Sequence, residues 1–161
     1  MAGRKARSVA ADAAAPFIAL DTSCLLALVC GWHEHHAVTI SAVEKRLARG
    51  ARLALAAPAL IEAYSVLTRL PAPHRLAPSD ALELLRDNFH DQGPAVALSG
   101  PDYWSLLLGA PAAGVYGGRT YDAVIAACAR KAGARELLTL NRRHFESFAD
   151  DALQITSPMG D

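Results

Sequence analysis

Lysine is scarce in this chain: Lys5, Lys45 and Lys131 stand against thirteen arginines among the 16 basic residues. Those cations are matched by 16 acidic residues, so there is no excess of positive charge to coat a nucleic acid by bulk attraction. A local basic patch beside a local acidic pocket is left open. Cysteine is equally sparse. Cys24, Cys30 and Cys128 are odd in number and form no C-x-x-C pair, which excludes a disulfide scaffold and fits a reducing, cytoplasmic setting. Small buried hydrophobes is the plainest reading of all three. No apolar run suits a membrane: the most hydrophobic early stretch, Phe17 to Cys30, is short and carries Asp21 in its middle. Residues 1–16 place Arg4, Lys5 and Arg7 ahead of an alanine-rich stretch without the leucine-rich core of a secretory signal, and read as a flexible basic tail. No internal repeat exists, and neither G-x-G-x-x-G nor G-x-x-x-x-G-K follows a strand, which removes the nucleotide-binding reading.

What the chain does hold is apolar material: 52% of its 161 residues are hydrophobic and 20% charged, enough to bury one real core. Short apolar runs alternate with helical patterns. Phe17–Leu20, Leu53–Ala56, Ala95–Leu98 and Leu137–Leu140 read as buried strands, with a short last one at Leu153–Ile155. Helices are predicted over Thr22–Val29, Ala42–Arg49, Pro58 to about Leu70, Ser79–Phe89, Ser99 to about Leu108 and Tyr121–Ala132. Asp80 and Glu83 have capping-box spacing, Thr120 stands where it caps the helix bearing Asp122, and Gly133 stops that helix. Strands alternating with helices imply an α/β fold, a parallel sheet between helical layers, with ligands collecting beyond the carboxyl ends of the strands.

Four polar residues are predicted at that edge. Asp21 directly follows the first strand, where a helix N-cap is an equally good account. Asn141 follows the fourth strand and, taken alone, is a turn residue. Glu62 has small or apolar helical neighbours, a costly place for a carboxylate unless it is paired, with Arg69 as the structural alternative, or binds a cation. Asp122 opens the apolar run Ala123–Ala129, where the helix dipole alone also accounts for it. Three acids and an amide at one rim exceed what these separate accounts explain. Crowded carboxylates repel unless a cation stands between them. Oxygen donors without Cys or His select Mg²⁺ or Mn²⁺, whose natural chemistry is phosphodiester cleavage.

Four segments, Phe17–Leu28, Ala57–Tyr64, Gly118–Ala127 and Leu138–Phe145, resemble in this order and spacing the motif blocks of PIN-domain nucleases, most closely the VapC-like toxins of toxin–antitoxin pairs. The resemblance covers about Phe17 to Ile155. It implies a three-layer α/β/α fold with a roughly five-stranded parallel sheet in residues 17–156, followed by a short tail at 157–161. It also implies an endoribonuclease dependent on Mg²⁺ or Mn²⁺, a homodimer, and a small antitoxin partner covering the cleft. Carried over by position, Asp21 and Asp122 are metal ligands, and Glu62 completes the acidic pocket and orients or deprotonates the attacking water. Asn141 falls where many relatives have a fourth acid, and the missing charge implies a weaker second metal site. Ser23 bonds the pocket oxygens, and Thr120 supports the helix of Asp122.

An RNA substrate needs cations around such a pocket. Arg119, Arg142 and Arg143 adjoin the motif residues and suit phosphate contacts, with His144 a further candidate; solvated surface arginines are the plain alternative. His33-Glu34-His35-His36 resembles a metal cluster but lacks a second half elsewhere, so a zinc site is not expected. Trp32, Tyr103, Trp104 and Tyr116 suit a core or a dimer face. A catalytically silent PIN-fold binding module and a housekeeping RNA-processing nuclease stand as competing functions.

Overall fold

The computed structural model describes residues 15–160, so Asp161 and all but the last two residues of the basic tail read over residues 1–16 lie outside the described residues. Four short apolar runs and one mixed one pair into a single parallel sheet. The strands are β1 (Phe17–Leu20), β2 (Arg52–Ala56), β3 (Ala95–Val96), β4 (Ala134–Leu138) and β5 (Gln154–Thr156), in spatial order β3-β2-β1-β4-β5. β1 at the centre is flanked on both sides. Ala19 pairs with Ala54 on one side and Leu137 on the other, and Ile18, Ala19 and Leu20 are almost wholly buried. Hydrophobicity unbroken through β1 and from Leu53 to Ala56 in β2 is what a sheet covered on both faces demands.

The connections supply those covers. From β1 the chain steps outward through α1 (Thr22–Val29) and α2 (His36–Ala48) to β2, then through α3 (Ala57–Arg69) and α4 (Pro78–Phe89) to β3. It then crosses back through α5 (Gly100–Gly109) and α6 (Arg119–Lys131) to β4, and through α7 (Arg142–Phe145) and a short 3-10 turn to β5. Right-handed crossovers running in opposite directions place α1–α4 on one face and α5–α7 on the other. Between β1 and β4 the direction of travel reverses. A crevice must open there at the carboxyl ends of the two strands.

Local chemistry sets the boundaries. Ser99 and Asp102 form a capping box that starts α5, and Gly133, with φ of 73°, ends α6 in the left-handed conformation. Gly93 admits edge strand β3, because a Cβ there would sit 2.0 Å from the Leu53 carbonyl oxygen. Several expectations are corrected. The Asp80–Glu83 capping box does not form, since α4 starts earlier and Ala77 occupies the cap. α2 begins at His36 rather than Ala42, and β3 stops at Val96 rather than Leu98. β4 spans Ala134–Leu138 rather than Leu137–Leu140, because Glu136 is tied to Arg46 of α2 and Thr156 of β5 and so belongs to the sheet. Trp32, Tyr103, Trp104 and Tyr116 are exposed, and the buried rings of the core are Phe89 and Phe145 instead.

Candidate active site at the carboxyl edge of the sheet

Asp21 leaves the end of β1 with its backbone N–H bonded to the Leu138 carbonyl at 3.1 Å, which fixes it at the reversal point between β1 and β4. It is also the N-cap of α1: the Cys24 N–H donates to Oδ1 at 2.9 Å. The capping account of this residue is therefore correct, but it leaves much unexplained. The Ser23 hydroxyl donates to both carboxylate oxygens, at 2.7 and 2.9 Å, and the Thr139 hydroxyl donates to Oδ2 at 2.8 Å. A cap needs one oxygen; this carboxylate is gripped through both, at 3% exposure. Burial pushes the Asp21 carboxyl above the ordinary carboxylate value, while the Cys24, Ser23 and Thr139 donors pull against that rise.

Glu62 projects from the second turn of α3, where the Thr22 hydroxyl donates to its Oε2 at 2.6 Å. Thr22 adjoins Asp21, so the bond joins the start of α1 to α3. The expectation that Glu62 lies on a costly apolar face is corrected: the residue is exposed, and no ion pair with Arg69 forms among the described residues. Its carboxylate belongs instead to an open groove of about 680 Å³ with Ile61, Tyr103, Tyr121 and Ile125 along its walls.

Asp122 occupies the first turn of α6, half-buried, with His144 Nδ1 3.7 Å from its Oδ2. Burial raises its carboxyl; His144 and Arg119 lower it, and the negative charge of Glu62 raises it further. That last effect brings Glu62 and Asp122 within electrostatic reach of each other. Thr120 is not the cap. Gly118 holds that position and Thr120 lies inside the helix. Arg119 opens α6 and turns toward the 3-10 segment, where it bonds the Ser147 hydroxyl and lies 5.7 Å from the Phe148 ring centre.

Asn141 starts α7, its backbone N–H bonded to the Thr139 hydroxyl at 2.9 Å. The turn thus brings its residue to the rim through the main chain. Arg142 and Arg143 follow on α7; Arg142 Nε stands 3.6 Å from Glu146, and Arg143 is exposed. The histidine cluster goes elsewhere: His36 bonds the Ala27 carbonyl at 2.8 Å, and the His35 N–H bonds His33 at 3.1 Å. Two participants escape a sequence reading. Thr139 and Thr22 look like a β-branched strand residue and a helix-start residue, and only the fold aims their hydroxyls at acids.

Carboxylate and hydroxyl oxygens dominate this rim, with the His144 ring nitrogen beside Asp122. Among the described residues no three His, Cys, Asp or Glu side chains close into a preformed metal cage. A hard cation such as Mg²⁺ keeps several waters and needs only one or two carboxylates from a protein. A buried carboxylate at Asp21 and mutual repulsion between Glu62 and Asp122 are both relieved by positive charge.

A parallel sheet walled by helices, with a buried acid where its strand order reverses, defines an open-sheet α/β domain, a class whose ligands collect at the switch point. The family model of the PIN domain matches residues 18–151, and the chain belongs to the PIN-domain family. Ribonuclease VapC40 of Mycobacterium tuberculosis is 41% identical over 131 residues, which cover 81% of this chain and 91% of that protein. The solved structure of VapBC2 from Rickettsia felis, bound to a DNA fragment from its promoter, superposes with a TM-score of 0.61 at 19% identity, covering 86% of this chain and 98% of that one. Mycobacterium tuberculosis VapC20, described as a sarcin-ricin loop cleaving toxin, gives 0.58 at 16% identity, covering 83% and 97%. At such low identities the two structures speak for the fold.

Proposed function

We propose that this protein is a metal-dependent endoribonuclease of the VapC kind, the toxin of a toxin–antitoxin pair, with residues 17–156 as the working unit. One observation carries the reading: the Asp21 carboxylate, buried at the switch point and held by three donors from two strand ends, with Glu62 tied to the neighbouring Thr22 and in turn acting on the charge of Asp122. Its likeness to a protein named as a ribonuclease along nearly the whole domain supports it.

Asp21 and Asp122 would hold Mg²⁺ or Mn²⁺, with Glu62 beside them. When bound, such an ion polarises a phosphoryl oxygen and acidifies water. The chain's own groups do the rest. Thr22 holds the Glu62 carboxylate so that it can orient a water and accept its proton. Ser23 and Thr139 hold Asp21 as a pure acceptor. Arg119, Arg142 and Arg143 line the approach and contact phosphates, which position RNA without reading its sequence. Asn141 presents an amide where a fourth carboxylate would add charge, and so limits the rim to three acids.

The antitoxin would cover this edge, in keeping with the paired VapBC2 assembly among the structural neighbours. A second copy of the chain fits the outer face of α5, which buries no residue and exposes Trp104, Leu107 and Leu108. No helix among the described residues is long and apolar enough to cross a membrane.

The test is expression of the chain alone beside Asp122→Asn, with transcript ends mapped after brief induction. Growth arrest and new 5′ ends with the wild type only are expected. Equal growth in both cultures, with no cleavage in Mg²⁺ or Mn²⁺, sinks the proposal and favours a silent binding module.

A further inference from the structure

We infer that Thr139 is a positioning residue for the cleavage reaction, acting with Ser23 as a two-hydroxyl clasp that fixes both the orientation of Asp21 and the turn carrying Asn141. The inference rests on the nuclease reading above and deepens it. Its basis is the direction of the hydrogen bonds. A hydroxyl has one hydrogen to give and lone pairs to receive. The Thr139 hydroxyl receives the Asn141 N–H at 2.9 Å, and the Ser23 hydroxyl receives the Leu140 N–H at 3.0 Å. Each hydrogen is therefore turned toward Asp21, where the donor–acceptor distances are 2.8 Å from Thr139 and 2.7 Å from Ser23.

Two consequences follow for the site. Asp21 meets donors on every side, from Cys24, Ser23 and Thr139, so its carboxylate is locked in plane and in rotamer. Ser23 shares its hydrogen between the two oxygens, so Cys24 and Ser23 meet Oδ1 while Thr139 and Ser23 meet Oδ2. The second consequence concerns the rim. Residues 140 and 141 hang by their N–H groups from the same two hydroxyls, so the start of α7, with Arg142 and Arg143, is held in register with Asp21. Thr139 is fully buried and 118 positions from Asp21 along the chain, so burial of a polar hydroxyl here is explained by this bond pair alone.

Thr139→Val keeps the shape and removes the hydroxyl; Thr139→Ser keeps the hydroxyl. Purified wild type, both variants and Ser23→Ala are compared in two assays: single-turnover cleavage of an RNA substrate, and the Mn²⁺ concentration that half-shifts the melting temperature without RNA. Loss of an outer-shell partner of this kind costs roughly 10–100-fold in metal affinity or activity. Thr139→Val is expected to fall in that range in both assays with KM for RNA within about twofold of wild type, and Thr139→Ser to recover most of the loss. Ser23→Ala, at a half-buried position, is expected to show the same signature and serves if Thr139→Val does not fold. A folded Thr139→Val or Ser23→Ala that matches a cleaving wild type in cleavage rate and Mn²⁺ midpoint overturns the clasp while leaving the nuclease reading intact. A wild type that neither cleaves nor responds to Mn²⁺ brings down both.

Discussion

Arg46 of α2 grips Glu136 of β4 across ninety positions of sequence, its Nε 2.8 and 2.9 Å from the two carboxylate oxygens. Thr156 of β5 donates to the same carboxylate, so one half-buried ion pair ties a covering helix to two strands. Burial alone would raise the Glu136 carboxyl, but the Arg46 and Thr156 bonds outweigh it and hold the group below its ordinary 4.5. A carboxyl depressed in the folded state adds stability that is complete above its unfolded value and is lost as pH falls through the folded one. Glu136→Gln is therefore expected to melt below wild type at neutral pH, by about 2 kcal/mol, with the gap closing below pH 4.5. Melting curves across pH in chelator measure this directly; a gap that stays constant with pH contradicts it.

Asp21→Asn removes a buried negative charge while leaving a side chain that still caps a helix. Cleavage is expected to fall at least about 100-fold, since an acid that the reaction needs is gone. In chelator the variant is expected to melt below wild type, because its amide NH2 replaces an acceptor oxygen and faces donors. Unchanged cleavage by the folded variant would show Asp21 to be chiefly structural.

Thr22→Val removes the hydroxyl that steadies Glu62 and keeps the side-chain shape. Because Glu62 is exposed, water can replace the lost bond, and the fold should hold. The cleavage rate is expected to fall about tenfold with little change in KM. An unchanged rate in single-turnover assays would detach Glu62 orientation from catalysis.

Arg143→Ala tests the basic rim. An exposed arginine that contacts phosphate contributes equally to any RNA sequence, so binding should weaken across substrates alike. The slope of log affinity against log salt is expected to flatten by about 0.7. Loss confined to one sequence would point to base reading instead.

Gly93→Ala drives a methyl group into the Leu53 carbonyl, at 2.0 Å, and backbone on both sides leaves no flexible group to yield. About 3 kcal/mol of destabilisation is expected in urea unfolding. The acidic rim lies at the other side of β2, so cleavage at low temperature should persist.

Much of this architecture is legible without coordinates where a local signal and the tertiary outcome agree. Phe17–Leu20 followed at once by Asp21 announces a buried strand and a capped helix, and both form as read. Legibility fails where a distant partner decides. Arg135 and Glu136 look like turn residues, and β4 absorbs them because Arg46 and Thr156 satisfy the Glu136 charge. The start of α2 hides among histidines because His35 at its cap makes no side-chain bond to announce it. Thr120 offers a capping side chain, yet Gly117 and Gly118 let α6 begin two residues earlier, at Arg119. At the rim, the acids stand out by charge alone, whereas the hydroxyls of Thr22 and Thr139 carry no such mark.

The bond from Thr139 to Asp21 makes competence a property of the whole fold. A chain in which β4 has not yet zipped onto β1 possesses every acid it will ever have and no organised hollow to hold them. Fraying or nicking near α7 would thus disarm the molecule with all its charged side chains intact, and a host could quench such an agent by loosening one seam rather than by blocking its mouth.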